Sequence, residues 1–127
     1  MITISNMQGT LNTIYNHLLK QGCPSTISVP NGSYTFASCR YRGPNGTKCA
    51  IGCLIPDSEY VPQMENLIVP QLERDGYVQF ESVQLRELCD RAQSIHDGYT
   101  DSCGDFGAYI RRRFTELAHT YSLTLPI

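Results

Sequence analysis

Tryptophan is absent from the 127 residues, and so are CxxC pairs, long apolar runs and any strong excess of charge of one sign. Each absence closes off a class of function. Ten lysines and arginines against 12 acidic residues give a formal charge of −2, whereas a general nucleic-acid coat needs a basic excess to displace phosphate counterions. No stretch approaches the ~18 consecutive apolar residues of a membrane span, so no membrane association is expected. The opening Met1 to Asn6 lacks a basic region followed by an apolar core, so no secretory leader is expected and the cytoplasm is the default compartment. The six cysteines stand at 23, 39, 49, 53, 89 and 103, without the two-residue spacing that zinc ribbons use. Cys49 and Cys53 come nearest. On a strand they would stand about 13 Å apart, too far for one ion, while on a helix they would be neighbours. The thiols read as small buried hydrophobes in a reducing compartment, with no metal and no cofactor expected.

What the sequence does have is concentrated between Cys39 and Tyr60. Gly43-Pro44-Asn45-Gly46 must reverse the chain, because proline presets one turn position and Asn-Gly readily takes positive φ. Before it, residues 36 to 42 alternate as a half-buried strand does. After it, Cys49 to Ile55 is apolar throughout, which suits a fully buried strand, although a short buried helix has the same signature. Pro56 ends the run, and Asp57 is placed to cap a helical turn through Tyr60. Tyr41-Arg42-Gly43, Gly46, Lys48-Cys49-Ala50, Gly52-Cys53-Leu54-Ile55-Pro56-Asp57 and Tyr60, with the downstream Ile95-His96-Asp97, resemble the signature of a group of small, mostly uncharacterised tailed-bacteriophage proteins. The resemblance covers about half of the chain. It implies a phage origin and the cytoplasm of an infected bacterium, and it brings no shared activity with it.

Elsewhere the periodicity is helical. Leu11, Ile14, Tyr15, Leu18 and Leu19 make an apolar stripe over 8–21, with Gly22 as the cap and His17 off the stripe on the solvent side. Ser82 caps a second helix over 82–96, striped by Leu85, Leu88, Cys89, Ala92, Ile95 and His96 and braced by Arg86 with Asp90 and Glu87 with Arg91. Asp105 caps a third over 106–121, along Phe106, Ile110, Phe114, Leu117, Ala118 and Tyr121. Val69 to Arg74 has helical potential closed by Asp75-Gly76, and Tyr77 to Phe80 suits an edge strand. With strands at about 26–29, 34–42 and 47–54, and Ile2 to Ile4 as a candidate fourth, the expected architecture is a single α+β domain. It would have a small antiparallel sheet of about three strands packed against three main helices. The apolar tail, Leu123 to Ile127, is expected to dock on the body.

Three constellations carry chemistry. His96 and Asp97, with Cys49, Cys53 or Cys103 within reach, could supply a base and a nucleophile; the plain alternative is a histidine that closes an apolar helix face and bonds to backbone. Arg40, Arg42, Lys48, Arg111, Arg112 and Arg113 would grip a nucleotide-like anion if the last helix packs near the 40–42 strand, with Tyr34, Tyr41 and Tyr60 to stack a base. The alternative is a solvated face balanced by Glu59, Glu65, Glu73 and Glu81. Eight tyrosines in so short a chain also fit an aromatic-rich surface for a protein partner. The leading expectation is a non-enzymatic phage accessory protein that binds a host factor, to counter defence or redirect host metabolism. A phosphate-ligand binder comes second, and a small Cys/His-dependent hydrolase or transferase third.

Overall fold

Four α-helices and two separate two-stranded sheets make up the regular structure of residues 1–126, the part of the chain that the computed structural model describes. The first helix, α1 (Met7–Gln21), starts where Asn6 Oδ1 accepts the Gly9 N–H at 2.9 Å. It ends at Gly22, whose left-handed φ of 73° returns its N–H to Leu18 O at 3.0 Å. A one-turn helix, α2 (Val69–Arg74), is followed by two long ones, α3 (Val83–Asp97) and α4 (Phe106–Thr120), each opened by the predicted cap. Ser82 Oγ accepts the Leu85 N–H at 3.1 Å, and Asp105 Oδ2 accepts the Ala108 N–H at 2.9 Å. The stripes meet in one core: Leu11, Ile14, Leu18, Leu85, Leu88, Ile110 and Phe114 are fully buried there. Tyr109, outside the expected stripe, is buried in α4, while Tyr121 lies at the rim. Leu123 and Leu125 pack against the core as expected; Ile127 lies outside the described residues. No helix among the described residues is long and apolar enough to cross a membrane.

The sheets depart from expectation. Strand β1 (Ile2–Ile4) pairs in parallel with β4 (Val78–Phe80), away from the hairpin it was expected to extend. That hairpin is β2 (Thr26–Asn31) against β3 (Tyr34–Cys39), antiparallel, with no third strand among the described residues. The reversal at 43–47 forms, with Asn45 and Gly46 at φ 59° and 75°, yet it does not return the chain as a strand. Cys49 to Ile55 instead coils through a 3-10 turn at Gly52–Leu54, Cys53 N–H reaching back to Cys49 O at 3.2 Å. The apolar run marked burial correctly and left the conformation open; the close approach of Gly52 to the Tyr41 carbonyl decides it. A Cβ on Gly52 would fall inside contact distance of that oxygen, and one on Gly43 would meet the Ser25 and Thr47 hydroxyls. Paired strands hold their main chains ~4.8 Å apart, which does not require such contact.

Gly52→Ala is therefore expected to lower stability by about 2 kcal/mol, read as a fall in the urea midpoint at unchanged slope. An unchanged midpoint would show that the 41–52 approach is looser than described.

Candidate functional site

The basic residues singled out by the sequence do not gather into a pocket. Arg42 is spent on its own surroundings: Nη1 donates to Gly52 O at 2.8 Å and Tyr41 O at 3.2 Å, and Nη2 to Ile55 O at 2.6 Å. Nε and Nη2 both reach Asp57 Oδ1, at 3.2 and 3.1 Å. Of the five N–H groups of the guanidinium, four thus donate hydrogen bonds, the group is also ion-paired with Asp57, and its flat face lies 4.7 Å from the centroid of the Tyr60 ring. Lys48 Nζ stands 3.5 Å from the same Asp57 oxygen. Arg40 Nε stands 3.6 Å from Glu65 Oε1.

Glu65 is the centre of this cluster. Only 8% exposed, it is buried rather than on the solvated face where sequence reasoning put it. Its carboxylate accepts the Tyr41 N–H at 2.9 Å, the Arg42 N–H at 3.1 Å and the Tyr60 hydroxyl at 2.7 Å. Tyr41 is buried as well, its hydroxyl donating to Leu67 O. Neither tyrosine offers a ring with both faces free for stacking. Arg111, Arg112 and Arg113 sit on exposed positions of α4. Arg113 lines a groove of about 320 Å³ with Arg91 and Glu116, and none of the three lines the cleft beside Arg40.

His96 is 1% exposed and bonded on both sides of its ring. Nε2 lies 3.0 Å from the Ser25 backbone N–H, which can only donate, so Nε2 is the acceptor and Nδ1 carries the proton. Nδ1 donates to Asp97 Oδ1 at 2.9 Å, and Gln93 Nε2 donates to the same oxygen at 2.7 Å. Cys39 completes a trio whose donor atoms lie within 4.8 Å of one another, a spacing that would suit an ion. The hydrogen-bonding pattern does not suit one: a ligating Nδ1 needs the lone pair that its proton occupies, and Nε2 faces an N–H. The same reasoning leaves no imidazole lone pair for a general base, which must reach a substrate or nucleophile proton. The network is a clasp joining the base of the hairpin to the end of α3. His17, expected on the solvent side, also turns inward, Nε2 3.0 Å from Lys48 O.

The thiols follow the same logic. Burial, helped by the neighbouring Asp97 carboxylate, pushes the Cys39 thiol up to about 12. Burial also pushes Cys53 and Cys89 up to about 12 and raises Cys49. Cys103 is held below the ordinary thiol value by hydrogen bonds from Thr100, with Arg112 and Arg113 adding to them.

What remains open is a cleft of about 340 Å³ between β3, the segment Asn66–Val69 and α3. Phe36 and Ile68 stand on two of its walls, and Asp90, Gln93, Ser94 and Asp97 on the third. Asp90 does not make the expected pair with Arg86, whose Nη1 bonds instead to Glu73 Oε1 at 2.8 Å. Burial raises the Asp90 carboxyl, Asp97 adds to the rise, and Arg86 opposes it. The cleft is lined by two carboxylates, Asp90 and Asp97, and one cation, Arg40, which is paired with Glu65; it is not the arginine-lined anion pocket expected from Arg40, Arg42, Lys48 and Arg111 to Arg113. Compared with protein-family models, with curated proteins and with solved structures, the chain matches none.

Two outcomes are expected. His96→Ala strands the buried Ser25 N–H and removes one of the two donors to Asp97 Oδ1, costing about 2 kcal/mol of stability; an unchanged denaturation midpoint would contradict the clasp. The raised thiols set a pH dependence. Between about pH 9 and 12 the unfolded chain has released thiol protons that the folded chain still holds, so stability falls as pH rises, by at most about tenfold in the folding constant per pH unit for each thiol. Urea midpoints at about pH 8 and pH 10.5 measure it, and equal midpoints would contradict the burial of these groups.

Proposed function

We propose that the protein acts by binding: a small phage accessory protein that engages a host factor in the bacterial cytoplasm, to counter defence or redirect host metabolism. The observation that carries the binding reading is the pair of apolar side chains flanking the cleft beside the hairpin, Phe36 and Ile68, which are 48% and 59% exposed. Apolar groups gathered on one side and flanking a cleft mark interaction surfaces more often than scattered ones do. The phage part of the reading rests on the resemblance of the Tyr41–Tyr60 motif. Enzymatic chemistry would need a nucleophile and a base that can meet, and His96 and the thiols around it are tied into the fold. A nucleotide-like anion would need convergent cations, and Arg40, Arg42 and Lys48 are matched to Glu65 and Asp57.

The test is site-specific photo-crosslinking in infected bacteria. A crosslinker at Phe36 should give one dominant protein adduct, whereas one at Val83, 55% exposed at the start of α3, should not. Equal labelling from both positions, or none from Phe36, would overturn the reading.

A further inference from the structure

The way β3 borders the cleft says more about what enters it. Residues 36 to 41 line the cavity without interruption. Side chains of a strand alternate between its faces, so a continuous run on one wall means that the chain presents its edge there. The other edge of β3 is occupied by β2 over the register Thr26–Cys39 to Asn31–Tyr34, and among the described residues no further strand joins this sheet. Exposed edges in folded proteins are commonly guarded by proline or lysine. Here Pro30 stands in β2, while Tyr34-Thr35-Phe36-Ala37-Ser38-Cys39 carries neither.

Charge narrows the occupant. Asp90 and Asp97 stand two turns apart on α3, facing the cleft. The cations beside them are already matched, Arg40 with Glu65 at 3.6 Å and Arg86 with Glu73 at 2.8 Å. Asp97 is held by groups that bring no full positive charge, the Nδ1–H of His96 and the Gln93 amide. Asp90 makes no ion pair among the described residues. A cation placed here would relieve the half-buried Asp90 carboxylate beside the more exposed Asp97, and an anion would be repelled.

We infer that the cleft receives an extended segment of a partner polypeptide, which pairs its main chain with the open edge of β3 and turns lysine or arginine side chains toward Asp90 and Asp97. Apolar side chains on the other face of the segment would meet Phe36 and Ile68. This rests on the binding reading above and deepens it to a partner chemistry.

The probe is a fluorescent hexapeptide of alternating leucine and lysine, titrated into the full chain by anisotropy. Saturable, salt-sensitive binding is expected. Asp90→Asn, at a position without hydrogen bonds to lose, should weaken it about fivefold, as befits one partly exposed ion pair. Ile68→Ser should weaken it as well. N-methylation of alternate peptide amides, which removes main-chain donors and leaves the side chains, should weaken it about tenfold or more. The Asp90 carboxyl, followed by NMR, should move down toward its ordinary range when the peptide saturates, because a nearby cation favours the charged form. Equal affinity of Asp90→Asn, of a leucine–glutamate peptide or of the N-methylated peptide would overturn the inference. A concentration-dependent dimer abolished by Ala37→Pro would overturn it too, assigning the edge to a second copy of the chain. If these failures occur while the Phe36 adduct in infected cells persists, only the partner chemistry is wrong; loss of the adduct removes the binding reading itself.

Discussion

Residues 40 to 55 bury Tyr41, the run from Cys49 to Gly52 and Ile55 and half-bury most of the rest outside any α-helix or sheet, and the fold depends on finding partners for their main-chain polar groups. A buried N–H or C=O left alone costs about 1–3 kcal/mol, and a domain has a net stability of only about 5–15 kcal/mol. A handful of failures would therefore unfold the chain. The partners are side chains brought from other elements. Glu65 takes the amides of Tyr41 and Arg42, Gln93 takes that of Ile51, and Gln21 takes that of Lys48 while also donating, with His17, toward its carbonyl. Arg42 closes the account by donating to the carbonyls of Tyr41, Gly52 and Ile55. Ser25 does the same for the hairpin base, its hydroxyl donating to Arg40 O and its amide to His96.

That accounting changes the meaning of the motif around which the phage resemblance is built. Arg42 and Tyr60 stack, and the Arg42 amide and the Tyr60 hydroxyl share Glu65 as acceptor; Gly43 and Gly52 admit close approach; Lys48 joins Arg42 at Asp57. A pattern rich in cysteine, arginine, tyrosine and glycine looks like an active site in a linear sequence because the same residue types are good at satisfying buried backbone. Its chemistry is consumed in holding one irregular segment. The residues that face outward around the cleft, Phe36, Ile68 and Asp90, lie outside the motif, and of these the sequence marks only Asp90, as a helix-surface partner of Arg86.

The long helices were legible because period and caps agree: the stripes of α1, α3 and α4 and the caps Ser82 and Asp105 fall where the sequence puts them. The coil at 49–55 was not, since a short all-apolar run has the same composition in a strand and in a buried turn. Nor was the parallel pairing of β1 with β4, which joins segments 76 residues apart in register and leaves no local trace. Glu65 and Ser25 were invisible because a buried polar residue in a loop has no periodicity to betray it. Gln93 did leave a signal. A glutamine four residues after Cys89 lies on the apolar face of α3, and a polar amide there calls for a partner, which proves to be the Ile51 amide.

The same network explains how the hairpin can keep an edge open. A two-stranded hairpin is marginal in isolation, and β2–β3 has most of its length exposed, from Pro30 round to Ala37. Its base is fixed at three points: Arg40 N–H on Ser25 O at 2.9 Å, the Ser25 amide on His96, and the paired amides of Tyr41 and Arg42 on Glu65. Anchored there, the strands need no third neighbour, and the edge of β3 stays available. Arg86 contributes from the other wall. Bound to Glu73, it ties α3 to α2 and leaves Asp90 without the i, i+4 partner its sequence provides. An exposed Arg–Asp pair on a helix is worth only a few tenths of a kcal/mol, so forgoing it costs little stability. Two carboxylates, an unguarded strand edge and two apolar side chains then share one cavity, each inexpensive to maintain alone, and a cationic extended segment is the one occupant that satisfies all of them together.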